Sequence, residues 1–278
     1  MIKPIIEVKN IKKSYKVSQK KFNQKTSYIH AVDDVSFHVL PGESFGIVGE
    51  SGSGKSTIAH LIMGMNKLTD GQIYFKGKDI TQLSHAEQKT LYRHLQIVFQ
   101  DPYSSLNPRK TIEWTLMEPL IIHSLGTKAS RKQKVIEVLE EVGLDASYLQ
   151  KMPHELSGGQ RQRIAIASAL ILNPEVIIID EGVSALDVSI QASILNLLNE
   201  LKEKHNLTYL FISHDLNVIQ YFCDRIAVVY LGELVEQFRT EEYHKIEHAD
   251  YTQKLFNAIP SVAFATEQTN SLRKEMTI

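Results

Sequence analysis

The sequence predicts an α/β fold, and three observations carry that prediction. A short apolar segment, Ser44-Phe45-Gly46-Ile47-Val48, runs directly into a glycine-rich loop and then into a helical apolar pattern through Ile58, Leu61, Ile62 and Met65. A nearly continuous apolar run over residues 175–180 has the character of a parallel strand covered on both faces. From there strand and helix patterns alternate to about residue 230, as a layered parallel sheet requires.

In chain order, Ile5-Ile6-Glu7-Val8 and Val35-Ser36-Phe37-His38-Val39 alternate apolar and polar positions, the period of antiparallel strands. Between them, residues 16–27 are polar and lysine-rich and read as a long hairpin loop. Pro41-Gly42 marks a turn before the strand at 44–48, and Asp70-Gly71 marks another before a strand at 72–75. From about residue 101 to 156 the pattern turns helical, with helices expected over 116–123, 131–142 and 147–151, so an inserted helical subdomain is expected. The strand at 175–180 is followed by a helix over 191–204, a strand over 208–212, a helix over 216–222 and a strand over 226–230. After residue 236 a less regular tail is expected, loosely ordered over 266–278. No internal repeat is visible.

Bulk properties narrow the function classes. Of 278 residues, 43% are hydrophobic and 23% charged, with a net charge of −1, so no overall field draws the chain to nucleic acid. Cys223 is the single cysteine, which excludes an internal disulfide and any metal site built from several cysteines of this chain. The N-terminus has no apolar stretch suited to a signal peptide, and no run of roughly 18 apolar residues offers a membrane-spanning helix. The chain is expected to be soluble and to reach a membrane only through another polypeptide.

Three motifs carry chemistry. Gly49-Glu50-Ser51-Gly52-Ser53-Gly54-Lys55-Ser56 satisfies the phosphate-loop pattern, with Thr57 continuing into the helix. Its glycines allow backbone N–H groups to turn around phosphates, Lys55 brings a charge to the β- and γ-phosphates, and Ser56 supplies an oxygen to Mg²⁺. The helix that begins there adds its positive end. Read blandly, the segment is a glycine-rich turn with a chance lysine, but the flanking strand and helix argue against that.

In Val176-Ile177-Ile178-Ile179-Asp180-Glu181, Asp180 ends a buried strand where it can hold Mg²⁺, and Glu181 can accept a proton from an attacking water. An acidic turn after a core strand is the bland alternative. In Leu156-Ser157-Gly158-Gly159-Gln160, Ser157 can cap a helix over 160–172 while the glycines expose N–H groups at its positive end. Most such sequences are only capped helices.

With Arg161-Gln162-Arg163 following, that last segment resembles the signature of ABC ATPases. The resemblance extends over about residues 5–260 and implies an ABC ATPase cassette: a RecA-like P-loop core with an antiparallel β subdomain and an inserted helical subdomain. On that layout, residues 1–100 hold the antiparallel β subdomain and the first part of the core. Residues 101–160 form the helical subdomain, 161–236 the second part of the core, and 237–278 the tail. By the same resemblance Gln100 reaches Mg²⁺ and the attacking water, Ser184-Ala185-Leu186-Asp187 forms the D-loop, His214 contacts the γ-phosphate, and Tyr15 stacks on adenine.

The subfamily most resembled is that of the bacterial oligopeptide, dipeptide and nickel importer ATPases, in particular the second of their two ATPase subunits. This rests on 98–109, 184–191, 230–236 and on Tyr251-Thr252-Gln253-Lys254-Leu255 with Ala258-Ile259-Pro260-Ser261. The implied partners are a second ATPase subunit, two membrane permeases and, indirectly, a solute-binding protein, with the chain on the cytoplasmic face of the membrane. Each ATP is then sandwiched between the phosphate loop of one chain and Ser157, Gly158, Gly159 and Gln160 of the other.

Two departures stand out: Gly182 where the family places proline after the catalytic glutamate, which is expected to loosen that turn, and Ala249-Asp250 where it places histidine-proline before the tail tyrosine. A DNA-repair or translation ATPase with this signature would carry two cassettes, a coiled coil or zinc-binding cysteines, none of which is seen. An exporter ATPase shares the motifs, which do not encode direction, but the features at 101–109 and in the tail favour import. A non-catalytic phosphate-binding module would lack a catalytic group. The 11 histidines are scattered without metal-ligand spacing, so they give no argument for nickel as cargo.

Overall fold

A computed structural model describes residues 2–17, 27–101, 105–182 and 187–257. The chain opens with a long antiparallel hairpin, β1 (Ile6–Val17) and β2 (Ser27–Val39), in which Tyr15 pairs with Ile29. β3 (Ser44–Val48), buried along its whole length, leads through the glycine-rich loop into α1 (Lys55–Ile62). β4 (Asp70–Phe75) and β5 (Lys78–Asp79) return to the hairpin, giving a four-stranded antiparallel sheet in the order β2-β1-β4-β5. α2 (His85–Leu91), opened by a Ser84–Glu87 capping box, precedes β6 (Leu95–Val98).

The helical insertion follows as α3 (Ile112–Ile122) and α4 (Lys128–Glu141), capped by Thr111 and Thr127. α5 (Gly158–Leu170) then leads back to β7 (Val176–Asp180). α6 (Val188–His205), β8 (Thr208–Ser213), α7 (Leu216–Phe222), β9 (Arg225–Tyr230) and β10 (Glu233–Arg239) complete the larger sheet. It has six strands in the order β10-β9-β3-β8-β7-β6, parallel except for the β10 edge. α8 (Asp250–Asn257) lies beyond it.

Successive residues of the central strands serve opposite cores. Ile178, Leu210, Ile212 and Ala227 pack with α1 and the antiparallel sheet, while Ile177, Ile179, Tyr209, Phe211 and Val228 pack with α5, α6, α7 and the helical insertion. That double covering explains the unbroken apolar run at 176–179. It also places β3 between β8 and β9, so the loops leaving the carboxyl ends of β3, β6, β7 and β8 converge on one edge. Among the described residues no helix is long and apolar enough to cross a membrane.

The structure corrects three expectations. Residues 147–151 do not form a helix; only the 3₁₀ turn Ala146–Tyr148 is present. The carbonyls of Leu149 and Lys151 instead accept from the N–H groups of Glu113 and Ile112, so they serve the first turn of α3 rather than a helix of their own. The tail after residue 236 is more regular than expected: β10 runs on to Arg239, and α8 is held by a cluster of rings in which Tyr243 stacks on His248 and Phe256 and Phe238 packs at a tilt. α1 ends at Ile62, leaving Met65 exposed rather than on the buried stripe. The expected hairpin loop lies almost wholly outside the described residues, as do Ser184, Ala185 and Leu186 and the tail from Ala258.

Candidate functional site

The phosphate loop is shaped by close approach. A side chain on Gly54, whose φ is +104°, would collide with the carbonyl of Ala31 on β2, so the loop can pass there only as glycine. Lys55 is 3% exposed and turned inward, with Nζ donating to Gly49 O at 2.8 Å and Glu50 O at 2.6 Å. Burial pushes its pKa below the ordinary lysine value, opposed by the carboxylates of Glu181, Asp180 and Glu50. Ser53, also buried, has a hydroxyl without a hydrogen-bond partner, inside the loop itself. Thr57 is half-buried in the first turn of α1, and Ser51 and Gly52 are exposed at the loop's tip.

Across from α1, the carboxyl end of β7 supplies both acids. Ser56 Oγ donates to Asp180 Oδ1 at 2.9 Å. Asp180 is buried, and that burial raises its pKa above the usual carboxylate range, with the Ser56 hydrogen bond the main opposing influence. Glu181 follows with a left-handed backbone, φ +50°, an unusual conformation for a residue with a side chain. Its N–H is tied to Ile212 O at 2.9 Å, and its carboxylate is gripped from two sides. Gln100 Nε2, delivered by β6, donates to Oε2 at 2.7 Å, and His214 Nδ1, delivered by β8, lies 3.3 Å from Oε1. Lys55, Ser56, Asp180, Glu181, Gln100 and His214 therefore meet at one edge of the sheet.

The signature segment is built differently. Ser157 caps α5 by accepting from Gln160 N at 3.3 Å, while Gln160 Oε1 accepts from Ser157 N at 3.0 Å. Gln160 Nε2 donates to Tyr148 OH at 2.9 Å, which roots the cap in the helical insertion. Ser157 and Gly158 are exposed and Gly159 is buried. The side-chain bonds of Ser157 and Gln160 thus stay within the helical part of the chain. Tyr15 is 40% exposed on β1, its hydroxyl accepting from Asn66 Nδ2 at 3.3 Å and its ring beneath Lys13 Nζ. One neighbour of the loop was not foreseen: Tyr251 of α8 accepts from Glu50 N at 3.4 Å and its ring lies 4.1 Å from that of Tyr230.

Comparison with known proteins decides what this arrangement is. A family profile described as ABC transporter matches residues 32–184. The chain is 48% identical over 272 residues, covering 98% of itself and 82% of the relative, to an oligopeptide transport ATP-binding protein, AppF, of Bacillus subtilis. The chain belongs to the ABC transporter family. It is also 45% identical over 257 residues to the glutathione import ATP-binding protein GsiA of Salmonella paratyphi A, of whose length it spans 41%. Among solved structures it superposes on a dimeric, post-hydrolysis state of the ATP-binding cassette MJ0796 bound to ADP and Pi. The TM-score is 0.74, with 32% identity, over 84% of this chain and 98% of that one.

As an ABC ATPase the chain binds and hydrolyses ATP with Mg²⁺. The residues present fit that ion, because Ser56 and Asp180 offer a hydroxyl and a carboxylate 2.9 Å apart, and Mg²⁺ prefers a few oxygen ligands completed by water and phosphate.

Proposed function

We propose that this chain is the motor of a bacterial importer whose cargo is a peptide. The observation that carries the catalytic reading is the grip on Glu181, held at 2.7 Å by Gln100 and at 3.3 Å by His214, one residue after the Asp180–Ser56 pair. A carboxylate so placed accepts the proton of a water attacking the γ-phosphate. Gln100 orients that water, and the His214 imidazole faces the phosphate being transferred. Lys55 exchanges its loop carbonyls for β- and γ-phosphate oxygens. Ser56, Asp180 and Gln100 hold Mg²⁺, which when bound neutralises charge on the phosphates. Tyr15 offers its exposed ring to adenine.

Ser157, Gly158, Gly159 and Gln160 serve a second ATPase subunit, the exposed end of α5 at Ser157 and Gly158 meeting the nucleotide on that subunit's phosphate loop. ATP thereby favours the closed pair, and hydrolysis releases it. Gln100 sits where β6 gives way to the helical insertion, so residues 101–160 form the lever towards two permeases, with this chain peripheral on the cytoplasmic face of the membrane.

The peptide cargo rests on the 48% identity to an oligopeptide transport ATPase over nearly the whole chain. The test is substrate-stimulated ATPase activity of the assembled transporter with its binding protein. Peptides are expected to stimulate turnover, and stimulation by nickel or a metal chelate with none by peptides would overturn the assignment.

A further inference from the structure

We propose that Gln162 is a positioning residue for Glu181, holding the catalytic turn of this chain from beneath through Gly182. The proposal rests on Glu181 being the catalytic base. Gln162 lies on α5, two residues past the signature glutamine, and is 1% exposed. Neither its amide nitrogen nor its amide oxygen has a hydrogen-bond partner, although a buried amide ordinarily finds one. An unpaired amide kept in a packed core weakens the fold, so its retention needs a reason outside stability.

The reason is its neighbour. A Cβ built on Gly182 would stand 2.9 Å from Gln162 Nε2 and 3.1 Å from Ile179 Cγ2, so the amide fills the space against the turn that only glycine leaves open. Gly182 is itself buried, and it follows directly on Glu181 with its left-handed φ of +50°. The carboxylate of Glu181 is fixed by Gln100 and His214 and its N–H by Ile212. Gln162 supports the remaining side, where the chain leaves the glutamate.

The N-terminus of α5 carries the signature segment, while Gln162, half a turn further along, packs against the turn that carries this chain's own base. Gly182 and Gln162 form a matched pair: the glycine makes room for the amide, and the amide sets the turn.

The test is a double-mutant cycle in the assembled transporter. Gln162→Met keeps the length of the side chain and removes the amide. It is expected to lower kcat by about tenfold or more, the cost of a slightly displaced catalytic group, with KM for ATP little changed. The melting temperature of the purified chain should be unchanged or raised, since an unpaired buried amide has been removed, whereas a purely structural glutamine would lose stability. Gly182→Ala should lower kcat in the same way, and Gln162→Met combined with Gly182→Ala should be no slower than the slower single variant.

Wild-type kcat in Gln162→Met, or effects of the two sites that multiply, would overturn the proposal. Glu181→Gln separates it from the reading beneath it. Retained turnover in Glu181→Gln sinks the base assignment. Stalled turnover there, with Gln162→Met at wild-type rate, sinks only the role of Gln162.

Discussion

The phosphate loop and the signature segment use the same device, the amino end of a helix behind a run of glycines, and differ in what surrounds it. Around α1 every catalytic side chain already has a partner in this chain: Lys55 with the carbonyls of Gly49 and Glu50, Ser56 with Asp180, and Glu181 with Gln100 and His214. Around α5, Ser157 and Gln160 bond to each other and Gln160 also to Tyr148, while Ser157 and Gly158 are exposed. One helix end has the carboxylates of Asp180 and Glu181, and through Glu181 the imidazole of His214, beside it. The other is capped within the chain and leaves Ser157 and Gly158 exposed. On the function proposed above, the difference gives two similar anion sites unequal work, chemistry at one and recognition of a neighbour's nucleotide at the other.

That contrast can be broken by substitution. The largest effect is expected at Glu181→Gln, which should retain ATP binding and lower turnover by about 10²–10⁴-fold, the range for loss of a general base. Steady-state ATPase assays with nucleotide-binding titrations check it. Lys55→Ala comes next: removal of a charge aimed at the transferred phosphate should cost about 10²–10³-fold in turnover and weaken ATP binding as well, so binding titrations separate it from Glu181→Gln.

Asp180→Asn sharpens the comparison through stability. Burial raises the pKa of Asp180 in the folded chain, so its favourable contribution is present at low pH and is lost as pH rises through that pKa. At neutral pH the ionised carboxylate burdens the fold, and Asp180→Asn should raise the melting temperature of the nucleotide-free chain by a few degrees while abolishing Mg²⁺-dependent turnover. The gain should shrink as the pH is lowered. The smallest effect belongs to the signature side, where Ser157→Ala removes a helix cap and should destabilise the chain by about 1 kcal/mol in denaturant melts.

Much of this was legible in the sequence, for reasons that differ by region. β3 and α7 were readable to the residue, because a buried strand and a short amphipathic helix were each bounded by turn residues. Asp180 and Glu181 were readable from the buried strand that carries them, whereas Gln100 and His214 were placed by the family resemblance; the fold brings all four together at the carboxyl ends of parallel strands. Ser157 was readable as a cap because a helix cap is local, while the reciprocal bond from Gln160 came only with the structure.

What was not readable depended on contacts distant in sequence. Residues 147–151 carry helical residues, yet their carbonyls are claimed by α3, more than 30 positions earlier. α8 is fixed by rings from β10 and the segment after it, a cluster with no periodicity. Gly182 looked like a loosened turn in the sequence, whereas the structure fills its space with Gln162, and no local pattern pairs residues 162 and 182.

The division of labour between the two helix ends is tested most directly by placing Ser157→Arg in only one chain of an assembled transporter and trapping photoreactive ATP under turnover. The account predicts that the variant chain's own phosphate loop still labels, while hydrolysis-dependent trapping is lost at the phosphate loop of its partner. Loss confined to the variant chain's own loop, with the partner's site intact, would contradict it.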